Sequence, residues 1–435
     1  MPVIELHGLQ SFPPALLNRD DQGVPKDVIL GGVRRDRVSS QCLKRAMRLH
    51  FRDAELLPQE NLSRRTRTLT AHLITALTDR GHSDTDAELL AVNVVWGMGL
   101  LGMDPKNAAL RLTNVLLFIS DAEIQKIADE IHDAASDLMP ECLPVERIWP
   151  AADEEGEETP AEPNGDEEGQ ISLEVTPAAP ATKASKTAAK AKAGSKAARK
   201  AACPPALQQF GKALLPRLDA TRAADIALFG RFMAENNAAT VHGAAQVAHA
   251  VGVHEQEVTL DYYTAVDDDL QQSGYLDTGY LSAPVLYRYA SVDLRTLGAS
   301  LAGDDQLAEA ALRAFATSFI HALPKGKRTS TAPSTRPSVV VAVLRAGQPL
   351  SMVDAVRKPV SGDGKTDVMV MAADAFTAQW ESNARAYGTA DILGTWHLST
   401  LDGEHLARPL PGDALDASTL AAHVAGRALL HLADR

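Results

Sequence analysis

The chain has 435 residues, 45% hydrophobic and 23% charged, enough apolar material to bury a sizeable core in one large domain or in two to three smaller ones. Its three cysteines, Cys42, Cys142 and Cys203, are an odd number without CxxC spacing, which excludes a disulfide framework or zinc ribbon and fits a reduced, cytoplasmic protein. The opening MPVIELHGLQ has no signal-peptide character and no stretch approaches ~20 apolar residues, so a soluble protein without membrane contact is expected, while a net charge of -13 argues against nucleic acid until its distribution is considered.

In chain order, Pro2 to Gln10 reads as a strand whose Ile4 and Leu6 alternate with Glu5 and His7, the pattern of a half-buried edge. Residues 28 to 33, VILGGV, read as a second short strand ending in glycines. Ser39 or Ser40 then offers an N-cap for a helix over about Gln41 to Ala54. Residues 66 to 140 are mostly helical in pattern, for example 86 to 101 and 121 to 138. Residues 151 to about 205 are compositionally foreign, acidic first and then Ala/Lys-rich, and read as a largely disordered insertion. Much of the chain's acid sits there, in Asp153, Glu154, Glu155, Glu157, Glu158, Glu162, Asp166, Glu167 and Glu168, which leaves the remainder closer to neutral. Helices are expected near 206 to 216 and 241 to 251, then a strand in VTLDYYTAV, a strand at 285 to 294, a helix near 304 to 323, a strand at 338 to 345 and a last helix at 372 to 386. This order suggests an α+β, ferredoxin-like core carrying large insertions.

The segment Lys26 to Arg52 concentrates positive charge: Lys26, Arg34, Arg35, Arg37, Lys44, Arg45, Arg48 and Arg52 stand against Asp27 and Asp36 only. At 100° per residue, Leu43, Met47, His50, Phe51 and Ala54 share one side of the helix and Lys44, Arg45, Arg48 and Arg52 the other. Gly31 and Gly32 would let a backbone approach an anion, and Ser39, Ser40 and Gln41 add neutral donors at a helix N-terminus. Phosphates suit all three elements.

Four segments, LNRDDQGVPKDVILGGVRRDRVSSQCLKRAMR, DIALFGRF at 225 to 232, YYTAVDD at 262 to 268 and VLYRYASVDL, resemble in matching order the type I-E CRISPR Cascade backbone subunit, the CasC family. The resemblance implies an RRM-like (ferredoxin-like) palm at 1–54 and 283–435, helical fingers at 55–150 and 206–253, and a β-hairpin thumb at 254–282. It implies a non-catalytic subunit without cofactor or metal. Its partners would be CRISPR RNA, target DNA through that guide, other copies of itself and other Cascade subunits. It places Lys26, Ser39, Gln41, Lys44, Arg45 and Arg48 on the guide's phosphates, beside the Gly31, Gly32, Arg34 and Arg35 of the physical reading. It places Phe232, Tyr262, Tyr263 and Thr264 where bases are displaced and stacked, although the family commonly carries Trp-Phe and Met at these positions. Lys325, Lys327 and Arg328 form a second basic cluster with candidate nucleic-acid contacts, or a helix C-terminal cap. The Lys183 to Lys200 run, seven cations without an acid, suits a solubilising linker or a DNA-scanning arm.

The rival from another class is a metal-dependent endoribonuclease of the related RNA-targeting backbone type, which would use Asp20, Asp21, Asp27 or the Asp267-Asp268-Asp269 triplet. Solvated turn carboxylates are the plainer account of these residues. A third reading is an acidic α+β protein without nucleic acid, which steep salt dependence of RNA binding would exclude.

Overall fold

The computed structural model describes residues 2–102, 110–148, 203–233, 239–269, 273–362, 365–401 and 406–432. The foreign segment 151–205, all but its last three residues, and the Lys183 to Lys200 run lie outside the described residues. The chain forms two compact units, Met1–Ser63 with Asp219–Arg435, and Arg64–Leu218. Residues 219–253, grouped with the fingers in the sequence reading, belong to the first unit.

The first unit begins with β1 (Pro2–Ser11), the antiparallel pair β2 (Asp27–Leu30) and β3 (Val33–Val38), and α1 (Ser40–Asp53). Gly31 and Gly32 have φ of 63° and 89° and form the two-residue turn of this hairpin, a geometry that needs positive φ at both positions. The basic run VRRDRV is therefore a strand, and VILGGV covers one strand and its turn.

The second unit contains β4 (Ser63–Thr66) paired with β5 (Leu117–Ser120), and the helices α2 (Leu69–Thr78), α3 (Asp84–Gly97), α4 (Asp121–Asp133) and α5 (Pro205–Leu214). Ser120 and Glu123 start α4 with a reciprocal capping box. Helices α3 and α5 approach backbone to backbone, since a Cβ on Gly97 would sit 2.2 Å from the Leu207 carbonyl oxygen.

The first unit resumes with α6 (Ala224–Phe229), β6 (Ala245–Val247), β7 (Ala250–Gly252), β8 (Val258–Val266), β9 (Ser273–Ser282) and β10 (Val285–Asp293). It ends with α7 (Leu294–Ser300), α8 (Asp305–His321), β11 (Val339–Ala346), α9 (Val368–Tyr387), β12 (Ile392–Ser399), β13 (Asp413–Ala414) and α10 (Ala417–Leu432). The sheet order is β13-β12-β11-β1-β10-β7-β3-β2, with β6 also on β10 and β8-β9 standing apart as a two-stranded ribbon. Strand β1 is central, antiparallel to β10 with Leu6 opposite Ala290 and to β11 with Leu6 opposite Ala342.

The sheet is covered on both sides. Ile4 and Leu6 pack with Met47 and Phe51 of α1 and Phe315 and Phe319 of α8, while Leu9 packs with Val341, Met369 and Phe376 on the opposite side. Each such apolar side chain contributes roughly 1.5–3 kcal/mol relative to exposure. The expectation of a half-buried edge for β1 is thus overturned, because Glu5 and His7 are buried in polar company. Glu5 pairs with Arg345 at 3.2 Å, and His7 Nδ1 lies 3.0 Å from the Tyr287 hydroxyl. Burial holds the Glu5 carboxyl above its usual range and pushes the His7 imidazole down to about 3. The helix expected at 241 to 251 is instead β6 and β7, where Ala245 and Val247 face inward on either side of Gln246.

Candidate nucleic-acid interface

Ser39 is the N-cap of α1: its Oγ accepts from the Cys42 N–H at 3.3 Å, and its own N–H donates to Asn18 Oδ1 at 2.9 Å. Leu43, Ala46, Met47 and Phe51 are buried and fix the helix on the sheet. The other side leaves Gln41 and Arg45 exposed and Lys44 half-buried, with burial and then Arg48 holding the Lys44 ammonium below its usual range. An anion beside Lys44 would favour its charged form and so oppose both effects.

Two further strands bring charge to the same helix end. Lys26, just before β2, and Arg45 both act electrostatically on Cys42, whose thiol burial pushes up to about 11. Arg37 of β3 donates from Nε to the Asp27 carbonyl oxygen at 2.9 Å, and its Nη1 lies 3.4 Å from His249 Nδ1. The same His249 Nδ1 accepts the Ser40 N–H at 3.2 Å, which leaves Nε2 as the protonated nitrogen of an exposed, neutral ring. Burial, Arg37 and Lys26 hold His249 below the usual imidazole range. Among the described residues Lys26, Lys44 and Arg45 make no ion pair, so Lys26, Arg37, Gln41, Lys44, Arg45 and His249 form a cluster with uncompensated positive charge. Sequence reasoning missed His249, which sits between two short strands and reaches α1 only through the sheet.

Several residues expected on phosphates have other partners. Arg35 is fully buried and donates to the Gly252 and Arg357 carbonyl oxygens at 2.9 and 3.2 Å. Arg48 lies 3.5 Å from Asp225 Oδ2, donates to the Gly230 carbonyl oxygen at 3.3 Å and covers the Phe229 ring at 5.0 Å. Arg34 is exposed but paired with Asp27, and the buried Ser39 hydroxyl serves the helix cap. A Cβ on Gly31 would lie 1.8 Å from the Arg357 carbonyl oxygen, so its close approach is to this chain's own backbone, while Gly32 faces open space. Arg35, Arg48, Ser39 and Gly31 are thus built into the fold. Helical and strand periodicity told which way they point within an element, not what lies opposite.

Strands β8 and β9 pair in register from Val258 opposite Ser282 to Ala265 opposite Tyr275, and every residue of β8 is exposed. Strand alternation puts Tyr262 and Thr264 on one face with Leu260, Val266 and Leu276, and puts Tyr263 on the other with Tyr275 and Asp277. The three residues expected to act together therefore divide between two faces. Phe232 is 80% exposed, held out between buried Arg231 and Met233 by the backbone bridge of Arg231 to Val241. In the second basic cluster, Lys325 pairs with Asp53 at 3.3 Å and Arg328 is exposed. Lys327, at φ 43°, lies over Gly279 of β9, where an added Cβ would meet its Nζ at 3.6 Å.

The candidate nuclease carboxylates serve local turns. Asp20 Oδ1 accepts the Gln22 and Val24 N–H groups, Asp27 pairs with Arg34, and Asp267 Oδ1 accepts the Asp269 N–H. Among the described residues no group of three His, Cys, Asp or Glu side chains could hold a metal ion, and no helix is long and apolar enough to cross a membrane.

A family model described as CT1975-like protein matches residues 4–422. No curated protein matches the chain. A solved chain of a "CRISPR RNA-guided surveillance complex, pre-nicking" is similar at 26% identity with a TM-score of 0.71, over 98% of this chain and 100% of that one. A chain of another "CRISPR RNA-guided surveillance complex" is similar at 23% identity with a TM-score of 0.62, over 98% and 99%, a likeness of fold.

Proposed function

Because the chain belongs to the CT1975-like protein family, we propose that it is a backbone subunit of a CRISPR RNA-guided surveillance complex, of the type I-E Cascade kind built by CasC proteins. The observation that carries this reading is the cluster of Lys26, Arg37, Gln41, Lys44, Arg45 and His249 at the head of α1, whose charge no carboxylate of the described residues offsets at Lys26, Lys44 or Arg45. Such a cluster neutralises phosphates and reads no bases, so guides of any sequence are accepted and pairing with target DNA supplies specificity. The palm reading is supported by the central order β11-β1-β10-β7 with α1 and α8 in the crossovers, the arrangement of an RRM-like sheet. The second unit supplies the helical fingers and the β8-β9 ribbon the thumb. Copies then follow one another along the guide through a heterologous, head-to-tail interface, in the cytoplasm and beside other subunits of the complex. Phe232 and the ribbon displace guide bases at intervals, so that guide and target pair in short segments.

The subunit does no chemistry in this reading: guide-loaded protein given complementary RNA and Mg²⁺ returns the RNA intact, and site-specific cuts lost in Asp27→Ala would replace it with the ribonuclease alternative. The phosphate contacts are tested by Lys44→Glu with Arg45→Glu, which leaves the buried Arg48 pair in place. Wild-type protein binds single-stranded RNA with an affinity that falls steeply with salt, and each lost phosphate contact lowers the logarithmic slope by about 0.7. An unchanged slope and undiminished RNA retention in the double variant would sink the proposal.

A further inference from the structure

The ribbon carries a feature that its two strands create only together. Tyr263 on β8 and Tyr275 on β9 both donate their hydroxyl protons to the same oxygen, Asp277 Oδ2, at 3.2 and 3.0 Å, while Asp277 Oδ1 accepts the Thr278 N–H at 2.7 Å. The ring centroids are 6.3 Å apart with planes at 47°, and the rings are 42% and 56% exposed. Lys327 reaches the same face over Gly279. An exposed tyrosine ordinarily swings freely about its first torsions. Here the shared carboxylate takes away that freedom, and a hydroxyl whose proton is committed to Asp277 has none left to offer to a base edge.

We propose that Tyr263 and Tyr275, clamped by Asp277, form a two-ring seat on which one displaced nucleobase stacks whatever its identity, and that Asp277 is the positioning residue of that seat. The inference rests on the guide-binding reading and deepens it by assigning the stacking to one face of the ribbon. Ring faces suit any base, because every base offers a π-face. The opposite face carries Tyr262 and Tyr280 among Leu260, Val266 and Leu276, but among the described residues no shared carboxylate ties their hydroxyls as Asp277 ties Tyr263 and Tyr275. Asp277 lies below the usual carboxylate range through the Thr278 N–H and then the two tyrosines, with Lys327 adding to them. Asp277 therefore stays ionised, and Lys327 beside it offsets the repulsion a nearby phosphate would meet. Tyr263 and Tyr275 lie above the usual phenol range, Tyr263 through desolvation and then Asp277, Tyr275 through Asp277 first.

The test uses the full chain and single-stranded RNAs carrying one fluorescent adenine analogue, moved along the strand one nucleotide at a time. Wild-type protein quenches the probe at recurring positions to the same extent whichever bases flank it. Tyr275→Ala and Asp277→Ala lose that quenching and bind RNA about tenfold more weakly, the scale of one lost stacking contact, and Tyr275→Phe, which keeps the ring but not its tie to Asp277, loses part of it. In the free protein, alkaline absorbance titration of Asp277→Ala shows two tyrosines ionising at lower pH than in wild type. A titration unchanged by Asp277→Ala would remove the clamp. RNA bound with undiminished quenching by Tyr275→Ala would remove the seat alone, and a wild-type protein that binds no RNA would overturn the guide-binding reading together with it.

Discussion

Strands β1 and β8 are nearly equal in length, ten residues against nine, and both alternate in sequence, yet eight residues of β1 are buried and none of β8 is. The difference lies in what surrounds them. β1 has a partner strand on each side and helices over both faces, so even Glu5 and His7 are enclosed. Among the described residues β8 has one partner strand, β9, and no helix covers either of its faces. An isolated two-stranded ribbon is marginal in water, so this one is held by backbone pairing, by the Asp277 clamp and by Lys327 at its side, and it gains most from an external partner. Fold stability and ligand contact are thus divided between the sheet and the ribbon.

Four measurements sharpen or break this division. The largest effect belongs to the sheet: Arg345→Met leaves Glu5 buried without its cation and costs about 3–5 kcal/mol in urea unfolding. Next, Arg48→Ala leaves the buried Asp225 without its cation, held by the Ser63 N–H and hydroxyl, and costs about 3 kcal/mol, while Arg45→Ala on the same helix leaves the unfolding midpoint in place and weakens only RNA binding. Equal stability of these two variants would show that Arg48 is not part of the fold.

The third concerns pH. His7 is neutral when folded, with its pKa pushed down to about 3 against 6.5 in an unfolded chain. The unfolded state therefore binds the extra proton, and stability falls by up to about 1.4 kcal/mol for each pH unit as pH drops from about 6.5 towards 3. His7→Gln flattens that part of the profile. Smallest of all, Leu260→Ser and Tyr262→Ser on the ribbon change unfolding by less than about 0.5 kcal/mol; a larger loss would mean that the ribbon is integrated with the core.

Much of this was legible beforehand. The apolar, strand-type runs VLYRYASVDL and SVVVAVLR marked β10 and β11, and the Ser39 cap with the Leu43, Met47 and Phe51 spacing marked α1 to within a residue. The helix α10 was not anticipated, because its Ala-rich sequence has little contrast between faces, nor was the strand β12. Among the site residues, the exposed Gln41 and Arg45 and the half-buried Lys26 and Lys44 lie where the helical wheel and the basic run put them. Arg35 and Arg48 do not, because a cation's availability depends on whether a carbonyl or a carboxylate from a distant segment, Gly252 or Asp225, arrives beside it.

By itself the sequence determined local periodicity, the concentration of charge near the amino end, and hence a mixed α+β protein with a cationic helix. The tertiary structure alone decided which cations remain open to a ligand, that His249 joins them, and that Tyr275 and Asp277 meet Tyr263 across the ribbon. The physical reason is one of range: propensity and amphipathicity are set by neighbours within a few residues, whereas compensation of charge and pairing across strands are set by groups brought together from farther along the chain, 14 residues for Tyr263 and Asp277 and 217 for Arg35 and Gly252.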